Sequence, residues 1–129
     1  MKINDSLDVG GPAFFRNVAY FYGGVVNSGG ESGSYAAKTG AYTIGEGDNV
    51  IDCTSGTFTV TLPTAVGIAG RKYVIKNSGT GTITVDGSGS ETLDGATTAV
   101  LRPGKSCITI QSNGTNWIII GVISPVSLA

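Results

Sequence analysis

The only residues in this chain whose types and spacing could do chemistry are its carboxylates. Asp86, Glu91 and Asp94 surround one glycine-rich loop, and Glu46 with Asp48 surround another. Two carboxyl groups several ångströms apart across a sugar cleft would make a glycosidase. Clustered carboxylate and carbonyl oxygens would hold calcium. Neither spacing fits those templates, and short acidic side chains in glycine-rich loops ordinarily bond local backbone at turns. The catalytic alternatives are thinner still. Histidine is absent, which removes the commonest general base and metal ligand. The chain has no Cys-x-x-Cys pair, nucleophile elbow, phosphate loop or dinucleotide fingerprint. No catalytic residue, metal ligand or cofactor-binding residue is therefore assigned. Sugar binding without catalysis would draw on Tyr35, Tyr42, Asn77, Asn113 and Asn116, which nothing in the sequence gathers into one site.

The elements that must position these residues read as strands and tight turns. The chain has 129 residues, 40% hydrophobic and 13% charged, with a formal net charge of −1. That balance offers no basic footprint for nucleic acid or acidic lipid. No apolar run approaches the ~20 residues of a membrane-spanning helix. Asp5 and Asp8 interrupt any export signal at the N-terminus, so synthesis in a cytosol without export is expected. The sparse charge favours association.

Three segments are expected. Residues 1–22 form an N-terminal arm carrying Phe14, Phe15, Tyr20, Phe21 and Tyr22. A short helix over about 12–20 and an extended arm are both compatible with it. Its aromatics would each bury on the order of 150–250 Å², either capping the β domain or docking on a partner chain. Residues 23–40 have the Gly/Ser composition of a linker. Residues 41–129 form the β domain.

Within that domain the strand pattern is continuous. Phe58, Val60 and Leu62 alternate with Thr57, Thr59 and Thr61, an apolar row inside and a threonine row outside. Ser55-Gly56 reads as a hairpin loop joining that strand to 49–53, and Pro103-Gly104 as a turn pairing 97–102 with 106–111. One helical turn fits 64–70. Asn113-Gly114 reads as the hairpin leading into the last strand, where Trp117, the only tryptophan, anchors the core. Cys53 shares parity with Ile51 and points inward. Cys107 is out of phase with Ile108 and Ile110, a pattern that favours two free thiols. About eight short strands at spacings near ten residues indicate an all-β, antiparallel, jelly-roll-like β-sandwich. Ile118, Ile119 and Ile120 make the last strand apolar on both faces, so Ile118 and Ile120 are the expected subunit interface.

Residues 41–121 also carry an ordered set of motifs. They are Thr59-Val60-Thr61-Leu62-Pro63, then Gly70-Arg71-Lys72-Tyr73-Val74-Ile75-Lys76-Asn77, then Ile83-Thr84-Val85-Asp86. Glu91-Thr92-Leu93-Asp94-Gly95 and Ser112-Asn113-Gly114-Thr115-Asn116-Trp117 follow. In order and spacing this resembles a small β domain of tailed-bacteriophage virion proteins: head fibres, capsid-decorating proteins and tail fibres. Position 93 is Leu where Ile is common. The resemblance implies a homotrimer with its N-terminal part attached to the virion, partnered by the major capsid protein or another virion protein. It implies no enzyme activity and no cofactor. The short chain favours a capsid decoration or short head fibre, made in the host cytoplasm. A tail-tip module binding a receptor or host-surface glycan is the alternative.

Overall fold

The computed structural model describes residues 9–14, 16, 22–25 and 27–125. The chain divides into two units, Met1–Glu31 and Ser32–Ala129. The described residues of the first unit form no strand or helix. The described residues of the second unit form nine strands: β1 (Tyr35–Lys38), β2 (Tyr42–Thr43), β3 (Val50–Cys53), β4 (Phe58–Thr61), β5 (Lys72–Asn77), β6 (Ile83–Asp86), β7 (Thr98–Leu101), β8 (Cys107–Ser112) and β9 (Trp117–Ile123). They build a five-stranded sheet in the order β1-β3-β5-β8-β9 and a four-stranded sheet in the order β2-β4-β6-β7. The architecture is all-β, two mixed sheets consistent with a β-sandwich.

The antiparallel expectation holds only for the last part of the chain. β1–β3, β3–β5, β2–β4 and β4–β6 pair in parallel. β5–β8, β8–β9 and β6–β7 are antiparallel. From β1 to β6 each strand crosses to the opposite sheet, so pairs of strands stack as successive coils.

Turn chemistry explains why Ser55-Gly56 does not close a hairpin. Two-residue hairpins need positive φ at both central positions, or glycine at the first. Here glycine is second, with φ +92°, and Ser55 is not among the positive-φ residues. The chain therefore splays from β3 into the other sheet. Pro103-Gly104 behaves alike: proline then glycine, with Gly104 at φ +111°, suits a type II turn, and β7 and β8 lie in different sheets. Residues 64–70 contain turns and no helix.

Corner-to-corner hydrogen bonds lock one coil onto the next. Lys38 O accepts from Thr54 N at 3.0 Å, and Cys53 O accepts from Ser78 N at 2.9 Å. Gly81 sits so close to this stack that a Cβ there would lie 2.1 Å from Gly56 O. Only glycine permits that approach.

The ninth strand, β1, lies inside the stretch whose composition reads as a linker. Ala36 packs on the core, the Tyr35 hydroxyl donates to Asp52 Oδ2 at 2.7 Å, and Lys38 Nζ lies 3.8 Å from the Tyr42 ring centroid. A strand of two alanines flanked by Tyr and Lys lacks the β-branched signature.

Period-two alternation places the core. One register row runs Ala36–Ile51–Ile75–Ile108–Val122 across the five-stranded sheet. The facing row runs Tyr42–Val60–Val85–Ala99. Ile51, Ile75, Val60 and Val85 are wholly buried between the sheets, with Ile44, Leu62, Tyr73, Leu93 and Trp117 filling the ends. Each such side chain contributes roughly 1.5–3 kcal/mol.

Both cysteines are free and buried. Cys53 lies in the core, where burial first, and the Asp52 charge second, push its thiol up to about 11. Folding thus favours the protonated thiol. Its stabilisation is complete below the unfolded pKa near 9 and is lost as pH rises through 11. The urea midpoint should fall between pH 8.5 and 11 by an amount worth on the order of 1–3 kcal/mol. Cys53→Ala should remove most of that alkaline slope; an unchanged slope would place its origin elsewhere.

Candidate functional site

The loop carboxylates do not converge. Glu91 reaches under Pro63, where Oε1 accepts from the Thr64 hydroxyl at 2.5 Å and Oε2 accepts from Ala65 N at 2.8 Å. Asp94, at φ 48°, turns to the other side of the loop and accepts from Ile119 N at 3.2 Å. Asp86 stands on the outer face of the four-stranded sheet, in register with Thr61 and Thr98. Asp48 Oδ2 accepts from Gly45 N at 2.8 Å and from the Tyr42 hydroxyl at 2.6 Å. Glu46 alone among these is exposed without a hydrogen bond. Among the described residues no three His, Cys, Asp or Glu side chains form a group able to hold a metal ion.

The five polar residues considered for sugar binding are likewise spent on the fold. Tyr35 and Tyr42 donate to Asp52 and Asp48. Asn77 is fully buried: Nδ2 donates to Gly81 O and Leu101 O at 2.9 and 2.8 Å, and Oδ1 accepts from Gly79 N at 3.2 Å. Asn113 Oδ1 accepts from Thr115 N and Asn116 N, which fixes the β8–β9 turn. Asn116 Oδ1 accepts from Thr92 N at 2.8 Å.

The expected interface residues lie on β9, the edge of the five-stranded sheet. Half of that edge is already satisfied. Trp117 N donates to Thr92 O at 2.9 Å, Asp94 N donates to Trp117 O at 3.1 Å, and Asp94 Oδ1 takes Ile119 N. The register shifts between Thr109 and Ile110, leaving Ile120 as a bulge residue. Ile118 is half-buried, Ile119 packs on the core, and Ile120 is 47% exposed. Beyond the bulge, Val122 returns to the inward-facing row yet is 64% exposed, because the four-stranded sheet stops at β7.

β7 and β9 thus flank an open side of the sandwich. A groove of about 210 Å³ lies between them, lined by the apolar Ala99, Leu101, Ile108, Val122 and Ile123 with Arg102 as its one charged residue. Val100 and Ile123 are exposed where they border it, and Ile120 is exposed further along β9. No charged residue occurs from Trp117 to Pro125, although exposed edges are ordinarily blunted by charge. Of the aromatic arm, Phe14 is 88% and Tyr22 98% exposed. Phe15, Tyr20 and Phe21 lie outside the described residues.

A second concavity went unnoticed in the sequence. Glu46, Pro63, Thr64, Ile68, Arg71 and Tyr73 enclose about 320 Å³. Arg71 precedes β5, and its backbone is pinned by Ser112 N, which donates to Arg71 O at 2.9 Å. Its guanidinium carbon lies 4.7 Å from the Tyr73 ring centroid, and Nη2 donates to Asp48 O. Compared with protein-family models and with curated proteins, the sequence matches none.

Proposed function

We propose that the chain is a non-enzymatic structural protein of a tailed-phage virion, a trimeric capsid decoration or short head fibre. Its N-terminal arm docks on the major capsid protein or another virion protein, and its β domain projects outward. The ordered motifs from Thr59 to Trp117 suggest the virion class. The jelly-roll-like character proposed for this domain lies in the crossing of consecutive strands between two sheets. Its neighbours pair differently, in parallel through β6.

The single observation that carries the assembly reading is the uncovered apolar side at β7 and β9. Val100 on β7 and Ile120, Val122 and Ile123 on β9 are exposed, and Arg102 is the one charged residue lining the groove between the two strands. Such a side favours a second and third copy of the same chain, because closed rings bury every copy's patch. Three arms on one particle then bind through avidity, which multiplies weak contacts by roughly 10²–10⁴.

Deleting residues 1–22 tests the docking. Full-length protein should co-sediment with particles, and the truncated protein should remain in the supernatant at concentrations up to about a hundredfold higher. Equal co-sedimentation would refute the arm's role. A tail-tip module for a host-surface glycan is the second reading, favoured by the Arg71 concavity.

A further inference from the structure

We propose that the concavity at Arg71 is a binding site for a carboxylate-bearing sugar, a function separate from virion assembly and independent of it. The starting point is an unsatisfied cation. Arg71 is half-buried, and its one hydrogen bond runs from Nη2 to a neutral carbonyl. Among the described residues Nε is enclosed without any acceptor, and Nη1 makes no hydrogen bond. Of the nearby carboxylates, Asp48 is engaged with Gly45 N and the Tyr42 hydroxyl and Glu91 with Thr64 and Ala65 N, while Glu46 lines the same concavity in solvent and makes no hydrogen bond to the guanidinium. A desolvated guanidinium is costly unless paired, and its planar fork matches a carboxylate.

The remaining walls choose among anions. Pro63 and Ile68 offer apolar surface on which the C–H face of a sugar ring can rest, while Glu46 and Thr64 are exposed polar groups at the rim. An exposed carboxylate beside the cation repels a simple anion but accepts hydroxyl donors, so the fitting ligand carries both a carboxylate and hydroxyls. About 320 Å³ is at the lower end of small-molecule sites, roughly 300–1,000 Å³, and suits one monosaccharide unit. Arg71 would hold the carboxylate, and Glu46 would accept from ring hydroxyls.

The chain has three arginines, so the Arg71 Nε–H signal is readily followed by nitrogen-15 NMR on the full chain. Titration with glucuronate should shift it saturably, with a dissociation constant on the order of 1 mM for so small a ligand. Glucose should leave it unmoved, and acetate and inorganic phosphate should bind at least about tenfold more weakly. The backbone amides of Thr64, Ile68 and Tyr73 should shift along with the Nε–H, and Arg71→Lys, which keeps the charge and can still donate to Asp48 O, should abolish those amide shifts while the backbone spectrum stays folded. Glu46→Ala, at an exposed position, should weaken glucuronate roughly 3–10-fold and leave acetate unchanged or tighter. No saturable response to glucuronate would overturn the proposal. Acetate or phosphate binding as tightly as glucuronate would overturn the assignment to a sugar.

Discussion

Replacing Trp117 with alanine is expected to destabilise the β domain by about 3–5 kcal/mol, the range for removing a large buried aromatic. Against a total of roughly 5–15 kcal/mol, that leaves much of the protein unfolded at moderate urea. The size follows from the position. Trp117 is fully buried with its ring 5.7 Å from that of Tyr73, where β9 meets the loop carrying Leu93. Its backbone is held on both sides, by Ser112 in the β8 register and by Thr92 and Asp94 on the free edge. The structure therefore cannot collapse readily into the space left behind. Trp117→Phe should behave differently. The indole Nε1–H is buried with no acceptor among the described residues, a cost of about 1–3 kcal/mol that phenylalanine avoids, so the loss of ring volume is partly offset. Urea midpoints should rank the wild type and Trp117→Phe close together, with Trp117→Ala far below. Equal losses for the two variants would show that the indole is not the packing anchor.

Asn77→Leu is expected to cost about 3–5 kcal/mol although it makes the core more apolar and hardly changes its volume. The substitution strands Gly81 O and Leu101 O, which Asn77 serves at 2.9 and 2.8 Å, and takes the Oδ1 acceptor from Gly79 N, which keeps only Cys53 O at 3.2 Å. An unsatisfied buried polar group costs roughly 1–3 kcal/mol, and water cannot reach all of these. Asn77 also ties the β5–β6 corner to the end of β7, so its loss should loosen the side on which Val100 and Leu101 lie. Hydrogen exchange at Gly79–Gly81 and Leu101 should accelerate more than at Ile51 or Val60. A loss below about 1 kcal/mol would mean these groups find other partners.

Much of the β domain was legible because alternation reports burial directly. Phe58, Val60 and Leu62 face inward, as do Tyr73 with Ile75 and Ile83 with Val85, and the threonines between them face out. The Asn113–Asn116 turn closes β8 onto β9 as its Asn-Gly pair indicates. Parallel stacking was not legible from alternation, since a half-buried strand has period two whichever way its neighbour runs. Two signals could have revealed it: glycine in the second place of Ser55-Gly56, and the likeness of Gly56-Thr57-Phe58-Thr59-Val60-Thr61 to Gly81-Thr82-Ile83-Thr84-Val85-Asp86. That likeness is a repeat of one coil, and the two segments pair in register with Phe58 beside Ile83.

The candidate sites were less legible for a different reason. Asn77 looked like a polar loop residue because its acceptors lie 4 and 24 positions away. Arg71 looked like an ordinary strand residue because a missing partner is a property of the folded surroundings. Ile118 and Ile120 stood out in the sequence as part of an unbroken apolar run, whereas the bulge at Ile120 gives Val122 and Ile123 the greater exposure.

Sedimentation equilibrium of the full-length chain at micromolar concentration tests the proposed assembly most directly. A single species at three times the 13.0 kDa chain mass is expected, because the proposed trimer would cover the exposed apolar residues of β7 and β9. A species of 13.0 kDa persisting up to about 100 μM, weaker association than specific homo-oligomers ordinarily show, would contradict it.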